Sequence, residues 1–242
     1  MSLLLPKRAV DLQEAMDADC DLDKLHNTYR NFARVNPVVS RWRGVYKRYI
    51  QPLARAASSQ KMPLQVLDIG FGGGDVVGAL ATWARQDELD ISFHGIDSDS
   101  RALEYVQDHV SLPASVQVEC CTSRDLIARG LIFDVVISNH VLHHLNAAEV
   151  ISLCEDSTQL SRQVVLHNDL ERSGLAYGVF GAITTPLFRK SFITEDGLAS
   201  IRRSFTRAEL QQLVPDGWQV SRLFPYRLLL HHHVDKSQTS QS

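Results

Sequence analysis

Membrane and secreted proteins carry features that this chain lacks. No apolar run approaches the length of a membrane span, and Leu3-Leu4-Leu5 is too short for the core of a signal peptide. Four cysteines in 242 residues show no C-x-x-C spacing, and the adjacent Cys120 and Cys121 would point to opposite faces of one strand. A reducing cytoplasm is the simple reading. Two phosphate-binding signatures are missing as well. Counted from Gly70, the third glycine of G-x-G-x-x-G falls on Asp75, and counted from Gly72 it falls on Val77. No Lys-Ser or Lys-Thr pair follows the glycines, so there is no phosphate loop. A net charge of −3 decides little, and the length allows one well-filled domain with a small appendage.

What the chain does have is Val66-Leu67-Asp68-Ile69-Gly70-Phe71-Gly72-Gly73-Gly74-Asp75. The apolar run from Leu64 to Ile69 reads as a buried parallel strand, and a helical pattern follows from Asp75 to about Gln86. Glycines between them allow positive φ and let the backbone approach a ligand closely. The helix start adds unpaired N–H groups, so this is a nucleotide-type cofactor site. The spacing is D-x-G-x-G-x-G, with Asp68 at the strand end. Carboxylates there repel a pyrophosphate and suit a cofactor with an ammonium and a sulfonium.

On this motif the chain resembles the class I S-adenosylmethionine-dependent methyltransferases, and the resemblance continues in order along it. A second strand, Ile91 to Ile96, ends in Asp97; a third, Val116 to Cys120, leads to Cys121-Thr122-Ser123; a fourth, Phe133 to Ser138, leads to Asn139-His140-Val141-Leu142-His143-His144-Leu145. The resemblance implies S-adenosyl-L-methionine held by Asp68, Gly70, Phe71, Gly72, Gly74, Asp97, Ser98, Thr122, Ser123 and Asn139. Asp97 takes the ribose, with Asp99 behind it. The family's acid near Thr122 is missing, which leaves the adenine to Thr122 or nearby backbone. The implied fold is Rossmann-like: α/β, seven mostly parallel strands with helices on both faces, and one antiparallel strand supplied by the final pair.

Charge divides the N-terminal region. Residues 9–23 hold six acids and no base, and residues 24–67 hold nine bases and no acid. Val38, Trp42, Val45, Tyr46, Tyr49 and Leu53 share one helical face, flanked by Arg41, Arg43, Lys47, Arg48 and Arg55. Such a helix suits nucleic acid, anionic lipid at a membrane surface, or an acidic carrier; the plainer and preferred reading is a solvated face pairing with the preceding acids. Residues 1–60 are expected to form a helical N-terminal cap, residues 61–235 the cofactor-binding domain and residues 236–242 a disordered tail.

After a helix over 146–161, Gln163 to Asn168 reads as the fifth strand, with His167-Asn168-Asp169 at its tip. Residues 170–205 then read as a mobile helical lid over an apolar pocket, and Thr206-x-x-Glu209 as a capping box. Tyr177, Phe180, Arg172 and Arg202 are the expected acceptor contacts. A hydroxyl acceptor gains from a base poised near neutrality, which suits histidine. His167 is ranked first, with His140 and His144 following; each also reads as a hydrogen-bonded packing residue. His140 and His144 have a spacing open to a metal, but no third ligand stands at fixed spacing, so no metal is expected.

Further segments, Phe32 to Asn36, Ser40 to Trp42, His167 to Ser173 and Ser200 to Phe205, are similar to a bacterial subgroup linked with polyketide or phenolic-lipid biosynthesis. That likeness implies a small hydroxylated aromatic or polyketide-like acceptor, methylated on oxygen. Two rivals remain. An RNA methyltransferase would use the basic helix, although Ser138-Asn139-His140-Val141 replaces any Asn-Pro-Pro-Tyr-type motif. A non-catalytic partner protein would bind the cofactor without turnover.

Overall fold

The computed structural model describes residues 5–17, 20–187 and 192–235. The expected tail at 236–242, Phe188, and the side chains of Val38 and Leu187 lie outside that description. The chain begins with a 3-10 turn (Ala15–Asp17), α1 (Leu22–Val39), α2 (Trp42–Val45), a π-helical turn (Tyr46–Ile50) and α3 (Gln51–Ser59). Strands and helices then alternate: β1 (Leu64–Ile69), α4 (Asp75–Gln86), β2 (Ile91–Asp97), α5 (Ser100–His109), β3 (Val116–Cys120), α6 (Ser123–Ala128) and β4 (Phe133–Asn139). A 3-10 turn (Leu142–His144), α7 (Ala147–Leu160) and β5 (Ser161–Leu170) follow. The last part is α8 (Gly174–Leu187), α9 (Ile193–Arg203), α10 (Arg207–Leu213), β6 (Gln219–Leu223) and β7 (Arg227–His233).

The strands form one sheet in the order β3-β2-β1-β4-β5-β7-β6, and β7 runs antiparallel to both neighbours. Chain order reverses between β1 and β4, which opens a crevice beyond their carboxyl ends, where open α/β sheets bind ligands. Side chains alternate across the sheet. Val66, Val135 and Val164 pack on one face with Tyr46, Ile50, Val77 and Leu80; Leu67, Val136 and Val165 pack on the other with Leu126, Leu153 and Leu210. Burial of each such side chain contributes roughly 1.5–3 kcal/mol.

The α2–α3 run is amphipathic as its sequence indicates. Trp42, Val45, Tyr46, Ile50 and Ala54 are buried, while Arg41, Lys47, Arg48 and Arg55 are exposed. The expected pairing with the acidic segment is corrected. Among the described residues none of these four cations forms an ion pair with acids 11–23. Asp21 instead accepts from the amides of Asp23 and Lys24 as the N-cap of α1, and Glu14 is buried elsewhere. At the other end of the chain, Thr206 and Glu209 form the expected capping box of α10. No helix among the described residues is long and apolar enough to cross a membrane.

Candidate active site

β1 delivers the chain into a turn with positive φ at Gly70 (78°), Gly72 (52°) and Gly74 (73°), Gly74 being the N-cap of α4. A Cβ on Gly70 would lie 2.8 Å from Val141 Cγ2, so that approach admits only glycine. At Gly72 a Cβ would meet nothing nearer than Tyr29 Cε1 at 3.9 Å, so the space above that residue is open. Asp97, at the end of β2, clamps the turn: its Oδ2 accepts from the Gly72 amide at 2.9 Å and its Oδ1 from the Asp99 amide at 3.0 Å.

Two adjoining cavities open here, of about 500 and 270 Å³. Gly70, Asp97, Ser98, Val141 and Leu145 line both. The larger also contains Asp68, Phe71, Gly72 and Asn139; the smaller holds Thr122 and Ser123. Of the sequence-derived cofactor residues, Gly74 alone lines neither and acts through the helix start. Asp68 is 2 % exposed and its Oδ1 has no hydrogen-bond partner. Burial, then Asp75 and Asp97, push its pKa up to about 8. A buried carboxyl facing two others in a cavity lacks a cation, and an ammonium or sulfonium fits that need where a phosphate does not. In the smaller cavity the Thr122 hydroxyl is engaged by Asp125 in the capping box of α6, and Ser123 Oγ donates to Asp156 Oδ2 at 2.6 Å. Asp156, on α7, is the carboxylate at this end that the sequence around Thr122 did not offer.

The larger cavity ends in histidines. His143 is 2 % exposed; its Nδ1 lies 2.7 Å from Asp169 Oδ1, and its backbone amide donates to Asp169 Oδ2 at 2.8 Å. His143 Nε2 lies 3.4 Å from Glu14 Oε1, and His144 Nε2 lies 3.9 Å from Glu14 Oε2. Burial opposes charge on His143, but Asp169 and Glu14 outweigh it and push the pKa up to about 9. Glu14 also accepts from Ser200 Oγ at 2.9 Å and lies 3.7 Å from Arg203 Nη1. Tyr29, Phe32 and Asn36 of α1 and Met16 complete the wall. Neither Glu14 nor the α1 residues carry a local sequence signal for this role.

Several expected acceptor and base residues are placed elsewhere. His167 is fully buried, because β5 runs on to Leu170 and leaves it inside the sheet opposite Leu230. Its Nδ1 lies 2.7 Å from Ser138 Oγ, its ring stacks on Trp218, and burial drives its pKa down to about 3. It lines neither cavity, and the base role ranked first for it is corrected. His140 does line the cavity, in a left-handed conformation (φ 62°), but its Nε2 lies 2.7 Å from Arg227 Nη1. A guanidinium only donates, so Nε2 accepts and the neutral ring carries its proton on Nδ1. Burial and then Arg227 hold its pKa well below the usual value, which makes His140 a donor and not a base. Arg227 also donates to Asn168 Oδ1 and to Asn139 Oδ1.

Arg172 is buried away from the cavity, donating to the carbonyls of Leu5 and Ser204 and pairing with Glu209. Arg202 is exposed, while its neighbour Arg203 lines the cavity. Tyr177 and Phe180 line neither cavity, and a Cβ on Gly197 of α9 would collide with the Phe180 ring, so α8 packs against α9. Leu175, Val179 and Ile183 of α8 are exposed. The expected lid therefore reaches the cavity through Ser200 and Arg203 of α9, and the cavity is more polar than expected.

A family model described as a methyltransferase domain matches residues 66–163. No curated protein matches the chain. Among solved structures, the chain is similar to the plantazolicin methyltransferase BpumL in complex with SAH, with a TM-score of 0.66, 16 % identity and 96 % of each chain covered. The plantazolicin methyltransferase BamL, in complex with a triazolic desmethylPZN analog and SAH, gives 0.53 and 18 % over 89 % of this chain and all of that one. The DszA carbon methyltransferase gives 0.50 and 13 % over 72 % of this chain and 47 % of that one. These similarities agree with the observed sheet order, and the glycine turn with its unanswered carboxyl lies inside the matched segment. Residues 66–163, which open on the glycine turn, therefore form a methyltransferase domain.

Proposed function

We infer that the protein methylates a hydroxyl oxygen of a small, largely apolar hydroxylated aromatic or polyketide-like molecule. The observation that carries this reading is one cavity with the glycine turn at one end and Glu14, His143 and His144 at the other. S-adenosylmethionine supplies a methyl group already activated on a sulfonium, so placement of the acceptor accounts for much of the rate. Asp68 and Asp75 answer the cofactor's positive charges, Asp97 its ribose hydroxyls, and Ser123 with Asp156 its adenine.

Phe32, Met16, Val141 and Leu145 offer an apolar wall to the body of the acceptor. Its hydroxyl then reaches the histidine end. His143 is held between two carboxylates, so the more open imidazole of His144, backed by Glu14, is the group that meets the hydroxyl and assists loss of its proton. His140, donating from Nδ1, orients the acceptor. The basic α2–α3 face supports the RNA reading less well, since none of Arg41, Arg43, Lys47, Arg48 and Arg55 lines the cavity.

Calorimetric titration with S-adenosylhomocysteine, with NAD as control, followed by a screen of phenolic and polyketide acceptors, tests this reading. Saturable binding of the first ligand alone and methyl transfer to oxygen are expected. Tight binding with turnover only on RNA, or with no turnover on any acceptor, would sink it.

A further inference from the structure

We propose that Glu14, His143 and His144 hold a divalent first-row transition-metal ion such as Zn²⁺ at the acceptor end of the cavity. This deepens the reading of an oxygen acceptor given above and rests on it. Each residue brings one ligating atom to within 4.8 Å of the other two. Among the described residues no other group of three His, Cys, Asp or Glu does so. Two imidazoles and a carboxylate suit Zn²⁺ and its neighbours, and three protein ligands leave a position open to substrate.

The geometry around this trio is that of a supported site. Ligand atoms at about 2.0–2.1 Å from a tetrahedral ion lie roughly 3.4 Å from one another. Glu14 Oε1 lies 3.4 Å from His143 Nε2 and Glu14 Oε2 lies 3.9 Å from His144 Nε2, and with one atom from each residue within 4.8 Å of the other two, side-chain shifts of about 1 Å close the trio on one ion. Behind His143 stands Asp169, which accepts at Oδ1 from Nδ1 (2.7 Å) and at Oδ2 from the backbone amide (2.8 Å). A carboxylate on the far ring nitrogen fixes the tautomer that leaves Nε2 for a metal and makes it a stronger ligand. Glu14 is oriented in turn by Ser200 Oγ on Oε1, which turns Oε2 toward His144. Glu14 and His143 are buried and His144 is partly open, so the vacant position faces the cavity. Glu14 and Asp169 set two negative charges beside a divalent cation, and buried Arg203, 3.7 Å from Glu14 Oε1, offsets one of them.

At this place the ion acts as a Lewis acid on the acceptor oxygen. The hydroxyl O–H bond breaks and its proton leaves to solvent water. The oxygen keeps the electron pair, which forms the new C–O bond as the S–CH3 bond breaks and S-adenosylhomocysteine departs. No oxidant or reductant is required.

The test is titration of the purified, chelator-treated protein with Co²⁺, read by its visible ligand-field absorption, alongside equilibrium dialysis with Zn²⁺. One ion per chain is expected. His144→Ala, at a partly open position, and Glu14→Gln should each weaken binding at least tenfold, while Asp97→Asn should leave it unchanged. Absence of stoichiometric binding would overturn the proposal. So would binding that survives His144→Ala and disappears with His232→Ala and His233→Ala, because the ion would then sit on the surface histidines of β7. Methyl transfer to a phenolic acceptor that continues at full rate in EDTA, yet is lost in His144→Ala, would overturn the metal and leave His144 as a base. A bound ion without transfer to any hydroxyl would keep the metal and sink the acceptor reading.

Discussion

The two ends of the cavity are assembled in different ways. The glycine end is made by neighbours in sequence at the strand tips: Asp68 to Gly74 run from the end of β1 into its turn, Asp97 closes β2 with Ser98 after it, and Thr122 and Ser123 follow β3. The histidine end is gathered from remote segments, with Glu14 ahead of α1, His143 and His144 beyond β4, Asp169 in β5, and Ser200 and Arg203 in α9. A parallel strand fixes where its own tip goes, so local chain direction is enough to build the first end. Long-range packing alone builds the second. The cofactor end is therefore expected to fail through its backbone, and the acceptor end through single side chains.

The sharpest test of that contrast is His144→Ala. Turnover should fall by about 10²–10⁴, the scale of a group that assists loss of the hydroxyl proton, with affinity for S-adenosylhomocysteine unchanged in calorimetry. A matching loss of cofactor affinity would erase the division between the ends. Gly72→Val comes next. With φ at 52°, a β-branched residue carries roughly 1–3 kcal/mol of strain and puts its methyl groups into the open space above the turn, so cofactor binding should drop by at least about a hundredfold. Circular dichroism should still report the native fold, because nothing closer than Tyr29 at 3.9 Å opposes the Cβ.

Asp97→Ala removes the acceptor of the Gly72 and Asp99 amides together with the ribose contact. Loss of a charged hydrogen-bond partner costs about 1.5–3 kcal/mol, or roughly ten- to a hundredfold in cofactor affinity. Unchanged affinity would take Asp97 out of the site. A smaller effect is expected from pH. Asp68 has a pKa raised to about 8, so in the cofactor-free protein it holds a proton that the unfolded chain releases near 4. Its contribution to stability is present below that lower value and is lost as pH rises toward about 8. A cationic ligand favours the carboxylate, so S-adenosylmethionine affinity should rise from pH 6 to about 8, by up to about tenfold per unit, and then level off. Isothermal titration across that range would show a flat profile if Asp68 does not meet the cation.

The smallest effect on turnover is expected from His167→Ala. Removing a ring packed between Ser138 and Trp218 should lower the melting temperature, with a cost of roughly 2–4 kcal/mol, while activity per folded molecule stays within a few-fold. A normal melting temperature with lost turnover would return the base to β5.

The uneven legibility of the site has the same origin. The strands and the helix at Asp75–Gln86 were written in apolar runs and glycines, whose effect on the chain is local. His167 was misplaced because strand ends follow hydrogen bonding, and pairing with β7 carries β5 to Leu170, past the polar residues that suggested an end. Tyr177 and Phe180 shared the composition of a pocket lining, but apolar helices also bury against each other, and Gly197 gives Phe180 that place. Glu14 stood among six acids with nothing to set it apart. Only the burial of that one carboxylate against His143 and Ser200 distinguishes it.

Among the described strands β7 alone enters the sheet from the ligand side. The parallel strands reach the crevice with their last residues, whereas β7 reaches it with its first, Arg227, paired opposite Leu170. The order of synthesis is thereby inverted at the site: a guanidinium encoded near the end of the chain fixes the tautomer of His140 and also binds Asn139, at the tip of β4, and Asn168 of β5. A ribosome-bound chain lacking its final hairpin would have every glycine of the cofactor turn in place, Asn139 still held by Trp42 and Asn168 by Ser40, and an undirected imidazole on His140. Competence to bind the cofactor and competence to orient an acceptor would then be acquired at separate moments, the second only when the last strand is threaded in register.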